Sequence, residues 1–339
     1  MTTGKVVAFG EILFRITPYP EKGSAELSLG GAELNVATAL GAWGKDVAYI
    51  SRMPENVLSK NVDELIQKLH IDTSRMLWGG ERIGIYYMAP GGDMQSHSVV
   101  YDRKYSAFSQ IEPGSIDWDK YLEGAEWLHW TAITPALNAN AAMICHELLA
   151  AARRKNITIS TDLNYRRLLW KYGETPLEVM PALVKYCDVI MGNIWSAADM
   201  LGVTWNEDEL VRGEKESCKK MATQVAANIM QQYPQCKQVA FTFRFTEADG
   251  NLNYFATLYN QKGLFDSINF KKETVVDSVG SGDSFMAGLI YGMLEKMPDQ
   301  ELIDFAAASA VSKLNVKGDA NRTPVEKIKE LLLSFKERQ

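Results

Sequence analysis

The residues best suited to chemistry lie between Asp277 and Gly288, where the sequence reads Asp-Ser-Val-Gly-Ser-Gly-Asp-Ser-Phe-Met-Ala-Gly. Glycines at 280 and 282 let the chain turn tightly and bring its backbone close to a ligand. The strand-like run Glu273 to Val276 precedes this turn and an apolar helix ending near Leu294 follows it. Free N–H groups of the helix's first turn, and the positive end of its dipole, should then face an anion held by Gly280, Ser281 and Gly282. Asp283 falls in that first turn. The dipole is expected to keep it ionised, close enough to a phosphate to accept a proton from a hydroxyl nucleophile. Standing alone, Gly-Ser-Gly-Asp is more often a plain glycine turn with a helix-start aspartate; the rest of the chain decides between the two.

A second glycine turn, Gly30-Gly31-Ala32-Glu33-Leu34-Asn35, opens a helix running to about Gly44. By residue type alone it is equally a core-helix start or a place where Asn35 donates to and accepts from a polyol. Arg103, in Tyr101-Asp102-Arg103, and Arg166, in Asp162-Leu163-Asn164-Tyr165-Arg166, offer guanidinium forks for a carboxylate or a phosphoryl group. Tyr86 and Tyr101 offer flat faces with a hydroxyl at the edge. Surface arginines are ordinarily only solvated, and tyrosines of neighbouring strands ordinarily pack on each other. Arg166, however, follows a strand-like run at the end where ligand loops of open α/β sheets gather.

The elements that must carry these groups alternate. Val6 to Phe9, Trp127 to Trp130, Ile157 to Thr161, Val189 to Met191 and Val239 to Phe243 read as buried strands, with helices such as Ala141 to Lys155 and Lys215 to Tyr233 between them. That alternation predicts a mainly parallel sheet with helices on both faces. Glu11 to Leu29 and Arg82 to Tyr101 alternate like strands without an intervening helix, and are expected to form a small second sheet that closes over the site. Pro324 to Lys336 reads as a closing helix. The 339 residues, 46% of them hydrophobic, suffice for a sizeable core. With 36 basic against 42 acidic residues and no basic run, nucleic acid is not an expected partner. No leader-like or membrane-spanning stretch is evident, and the four cysteines form no Cys-x-x-Cys pair, so a reduced cytoplasmic setting is expected.

The string from Asp277 to Gly288 closely resembles the second signature of the ribokinase-like carbohydrate kinases, the PfkB family, and the resemblance extends over nearly the whole chain. No Gly-x-x-x-x-Gly-Lys-Ser/Thr loop offers a P-loop route to the same chemistry. Within the family the segments Gly84-Ile85-Tyr86, Tyr101-Asp102-Arg103 and Asp162 to Arg166 are similar to those of the 2-keto-3-deoxygluconate kinases. The resemblance implies one ribokinase-like domain over residues 1–339, a three-layer α/β/α sandwich with a β lid from about 11–30 and 82–104. It implies ATP and Mg2+, and leaves room for K+ near Asp277. Gly30, Gly31, Asn35, Tyr86, Tyr101, Arg103, Asn164 and Arg166 would meet a sugar acid. Asn193, Arg244, Gly280, Gly282, Gly318 and Asn321 would meet the nucleotide, with Asn193 reaching magnesium through water. Asp283 would be the base, and a homodimer or larger oligomer would form through the lid.

Arg15, where many neutral-sugar kinases of the family carry an acidic residue, points the same way, to an acid. Two departures stand out. The family's Asn-x-x-Glu is Asn193-Ile194-Trp195-Ser196 here, and Phe241-Thr242-Phe243-Arg244 replaces a glycine-containing nucleotide loop. A fructokinase-like or nucleoside kinase would use the same mechanism. A catalytically weak sugar-binding or regulatory protein is the reading of another class.

Overall fold

The computed structural model describes residues 5–89, 99–206, 210–211, 213–247, 251–272 and 274–338. In chain order its strands are β1 (Lys5–Phe9), β2 (Leu13–Tyr19), β3 (Ser24–Gly30), β4 (Val47–Ile50), β5 (Arg52–Met53), β6 (Ile71–Asp72), β7 (Leu77–Trp78), β8 (Gly84–Met88), β9 (Val99–Asp102), β10 (Ala125–Thr131), β11 (Thr158–Asp162), β12 (Val189–Gly192), β13 (Gln238–Thr246), β14 (Leu252–Asn260), β15 (Gly263–Asp266) and β16 (Phe270–Lys272). The α-helices are α1 (Ala32–Ala42), α2 (Val57–Gln67), α3 (Trp118–Tyr121), α4 (Ala139–Arg154), α5 (Pro176–Val184), α6 (Ile194–Leu201), α7 (Lys215–Gln232), α8 (Ser281–Leu294), α9 (Asp299–Lys313) and α10 (Val325–Lys336).

Short continuous apolar runs become central strands because both faces of each are covered. In β1, Val7 and Phe9 enter one core cluster with α4, α6 and α7, whereas Val6 and Ala8 enter the other with α1, α8 and α9. Successive side chains of a strand point to opposite faces, so one strand feeds two cores. The resulting sheet runs β6-β4-β1-β10-β11-β12-β13-β14-β15, parallel from β6 to β13, with β14 antiparallel to β13 and paired also to β15 and β16. This is the ribokinase-like α/β/α sandwich expected. Strand order runs outward in both directions from the β1–β10 pair, which makes a crevice at the carboxyl ends of the strands.

A separate four-stranded sheet, β3-β2-β8-β9, is built from the two segments that lack helices of their own. The chain leaves it after β3, passes through the large sheet, and returns, so β2 and β8 pair in parallel while β2–β3 and β8–β9 are hairpin-like antiparallel pairs. The strand expected at Glu273 to Val276 is corrected. Pairing with β14 ends at Lys272, Thr274–Val276 have no strand structure, and the Val276 N–H bonds instead to the Leu314 carbonyl at 2.8 Å; Glu273 lies outside the described residues. Among the described residues no helix is long and apolar enough to cross a membrane, and all four cysteines are buried thiols.

Candidate active site

A cavity of about 680 Å3 lies between the small sheet and the carboxyl ends of β11, β12 and β13. The small sheet contributes Leu13, Tyr86, Val99 and Tyr101, with Arg103 just beyond it. The start of α1 contributes Gly31, Ala32 and Asn35, and the glycine turn contributes Ser278 to Asp283. Asp162 ends β11 and Asn164, Arg166 and Arg167 follow it, Asn193 caps α6 and Ser196 and Asp199 lie within that helix, and Thr242 and Arg244 come from β13.

Gly280 caps α8 at φ 79°, the left-handed region, and a Cβ there would come within 1.7 Å of the Asp319 carbonyl oxygen. Only glycine fits. The Ser284 N–H closes on the Gly280 carbonyl at 2.8 Å, while the Gly282 and Asp283 amides sit in the first helical turn, where no intrahelical acceptor exists. Gly31 is held in the same way: at φ 133°, a Cβ would meet the Glu11 carbonyl oxygen at 2.5 Å. These two tight turns bring α1 and α8 together, and Asn35 Nδ2 donates to Asp283 Oδ2 at 2.7 Å.

Asp283 is buried, and burial pushes its pKa up to about 8; the Asn35 hydrogen bond and Arg166 oppose the rise, and Asp162 and Glu33 add to it. The expectation of a carboxylate kept ionised by the helix dipole is therefore corrected: desolvation of the charge dominates. Burial also raises Asp162 to about 6, against the bond its Oδ1 accepts from the Asn164 N–H at 2.9 Å, and raises Glu33 to about 7. Two carboxyls of the cavity lining, Asp283 and Asp162, thus hold protons more tightly than usual, and Glu33, bonded to Thr131 and buried behind the lining, does the same.

Of the arginines, Arg166 and Arg244 line the cavity and form no ion pair with a carboxylate among the described residues. Arg166 gives one Nη1 hydrogen bond to the Tyr165 carbonyl at 3.1 Å, and its buried Nε has no partner among the described residues. Arg103 also lines the cavity, but its Nε is bound to Glu11 Oε2 at 2.6 Å. Arg15 stands outside the lining altogether, with Nη1 2.9 Å from Asp319 and Nη2 2.8 Å from Asp277. The reading of Arg15 as a sign of an acid substrate is corrected to that of an internal tie.

The remaining expected residues divide. Gly31, Asn35, Tyr86, Tyr101, Asn164, Asn193, Ser281 and Gly282 reach the cavity, Tyr86 also donating its hydroxyl to Asp319. Asn193 caps α6 by accepting the Ser196 N–H at 2.8 Å. Gly30, Gly318 and Asn321 do not line it. Gly30 packs under Asp319, the Gly318 N–H donates to Asp277 Oδ2 at 3.2 Å, and Asn321 Nδ2 is spent on Ser284, Ser309 and Ser312. Asp199 and Asp319 also line the cavity without having been expected there, although Asp319 directly follows Gly318, one of the expected nucleotide residues.

A glycine-turn cradle at a helix start, with a buried carboxyl beside it and a second sheet above, defines a ribokinase-like phosphotransferase. The sequence matches the model of the pfkB family carbohydrate kinases over residues 3–231 and 254–326, and the chain belongs to that family. It is a carbohydrate kinase. It is similar to the 2-dehydro-3-deoxygalactonokinase of Haloferax volcanii, 27% identical over 97% of this chain and 97% of that protein. The 2-dehydro-3-deoxygluconokinase of Bacillus subtilis is likewise 27% identical, over 97% and 94%. The crystal structure of 2-dehydro-3-deoxygluconokinase from Thermotoga maritima superposes with a TM-score of 0.87 at 32% identity, covering 97% of this chain and 99% of that one.

Proposed function

We propose that the protein transfers the γ-phosphoryl group of ATP to the 6-hydroxyl of a 2-keto-3-deoxy sugar acid, with 2-keto-3-deoxygluconate as the first candidate. The observation that carries this reading is the cluster Arg103, Arg166, Arg167 and Arg244 on one cavity, with Arg166 uncommitted to any carboxylate of the described chain. A guanidinium without a carboxylate partner beside a polar cleft suits an anionic ligand, and a sugar acid with a triphosphate brings two. The names of the relatives support the same substrate class.

In this mechanism Asp283 takes the proton of the primary hydroxyl while that oxygen forms its bond to the γ-phosphorus and the bond from phosphorus to the leaving oxygen of ADP breaks. A carboxyl whose pKa is about 8 is a stronger base once deprotonated than an ordinary aspartate. Asn35 orients it through the 2.7 Å bond. The Gly280 to Gly282 backbone and Arg166 face the negative charge on the moving group, where positioning and electrostatics carry most of the catalysis. Tyr86, Tyr101 and Arg103 would read the far side of the sugar acid, under a small sheet that excludes water.

Among the described residues no three carboxylates or histidines converge as a metal site, so magnesium would be held mainly by the phosphates of ATP, with Asp199, Asp162 and Ser196 of the cavity lining reaching it through water. When bound, the ion neutralises charge on the phosphate oxygens. Exposed Leu27 and Val100 on the small sheet support pairing of two copies through it, which sedimentation equilibrium tests.

An ADP-release assay with Mg-ATP decides the substrate: 2-keto-3-deoxygluconate, its galactonate epimer, gluconate, fructose, ribose and adenosine are compared. Turnover confined to the keto-deoxy acids is expected. Preference for fructose would replace it with the neutral-sugar reading, which the commitment of Arg15 and Arg103 to internal carboxylates favours. Binding without turnover of any sugar would favour a sugar-binding role.

A further inference from the structure

Lys313 is the last residue of α9, and lysines at helix ends ordinarily carry their ammonium out to water. This one is fully buried, with 0% exposure. Its Nζ donates to two main-chain carbonyls, that of Asp277 at 3.2 Å and that of Val316 at 2.9 Å. The first carbonyl belongs to the turn that leads into the phosphate cradle, the second to the loop that follows α9. These two segments are in register with each other: the Val276 N–H bonds to the Leu314 carbonyl, the Gly318 N–H to Asp277 Oδ2, and Gly280 is pressed against the Asp319 backbone. Asp277 and Asp319, bridged by Arg15, lie close by and favour the charged lysine, while burial alone pulls its pKa below the ordinary value.

A compact positive charge held by carbonyl oxygens of two apposed loops, beside an anion site, is the coordination a monovalent cation would have. The potassium that the family resemblance leaves room for does not fit here, because the ammonium already takes the Asp277 and Val316 carbonyls. We propose that Lys313 serves as a built-in monovalent cation, clamping the Asp277 turn against the 316–319 loop so that the phosphate cradle keeps its shape without potassium. Lys313 is a positioning residue: it touches no reacting atom and acts through Asp277 and Gly280. The proposal rests on phosphoryl transfer at this site and goes beyond it.

The test replaces K+ with Na+ or tetramethylammonium at constant ionic strength and follows both turnover and thermal midpoint. The wild type is expected to vary less than about twofold in kcat and in KM for ATP across the three salts. Lys313→Ala is expected to lose roughly tenfold or more in kcat, to recover most of it in K+ or NH4+ but not in tetramethylammonium, and to gain about 2 °C in midpoint from K+ alone. A merely structural lysine would give a loss that no cation repairs. Wild-type turnover that rises more than about fivefold with K+, or Lys313→Ala and Lys313→Met variants equally impaired in every salt, would overturn the proposal. If the alanine variant does not fold, Lys313→Met and the wild-type salt series still decide. Failure of all sugar acids as substrates would sink the substrate assignment alone, since the potassium dependence of the variant's midpoint needs no substrate.

Discussion

Beneath the glycine turn the charged groups have internal partners: Arg15 on Asp277 and Asp319, and Lys313 on two carbonyls, with the Gly318 amide also on Asp277. Beyond β11 the pattern reverses. Arg166 and Arg244 face the cavity without a carboxylate among the described residues, burial raises Asp162 to about 6, and Asp283, carried into the same cavity by the first turn of α8, is raised to about 8. The same residue types therefore do two jobs. In the first region they fix a backbone shape, at a desolvation cost offset by close pairing. In the second the arginines form no ion pair among the described residues and the aspartates are desolvated, which costs stability and leaves them available to a ligand.

Substitutions should separate the two regions. The largest effect is expected from Asp283→Asn, which should lower kcat by about 10²–10⁴ while titration calorimetry still detects nucleotide. Its stability should move the other way. Because the folded-state pKa lies near 8 and the ordinary value near 3.8, the folded protein holds a proton between these pH values that the unfolded chain has released. That contribution to stability is complete below about pH 4 and is lost as pH rises through about 8. Denaturation at pH 8 should thus find the Asn variant more stable relative to wild type than at pH 5; the reverse order would place Asp283 with the paired residues.

Arg15 and Arg166 give the sharpest contrast. Arg15→Ala strands one buried and one half-buried carboxylate and should cost about 3–5 kcal/mol in urea unfolding. Arg166→Ala should leave the unfolding midpoint nearly unchanged and lower kcat/KM by about 10²-fold. An unfolding loss at Arg166 equal to that at Arg15 would erase the distinction. The smallest effect is expected at Asn35. In wild type kcat/KM should rise with pH and level off above about 8, as Asp283 loses its proton. Asn35→Ala removes the one hydrogen bond that favours the ionised form and should move that limb to higher pH, read from the rate profile.

The layers of the fold were legible because β1, β10, β12 and β13 are largely buried on both faces and carry short apolar runs, with the Thr-rich β11 recognisable from its place between helices. Glu273 to Val276 misled for the same reason: valines at 275 and 276 look like a strand, yet they are exposed and the backbone there is engaged by the loop after α9. At the site, the glycines and Asp283 were visible through the backbone conformation they require. What the sequence cannot display is pairing across long separations. Arg15 and Asp319 stand 304 positions apart, Asn35 and Asp283 248, so whether an arginine is spent or free emerges only once the chain is folded. Asp162 was inside a quoted motif but gains its significance from burial, which composition alone does not reveal.

The tie from Arg15 has a mechanical side. Arg15 belongs to β2 of the small sheet, whereas Asp277 and Asp319 belong to the two loops beneath the cradle; Tyr86, on the neighbouring β8, grips Asp319 as well. The cover over the cavity is thus pinned at the floor of the phosphate site, and that pin works as a fulcrum. A swing of β8 and β9 to admit a sugar would pivot there, so the load of opening would be delivered to the loops that shape the glycine turn, and cover and turn would move as parts of one lever.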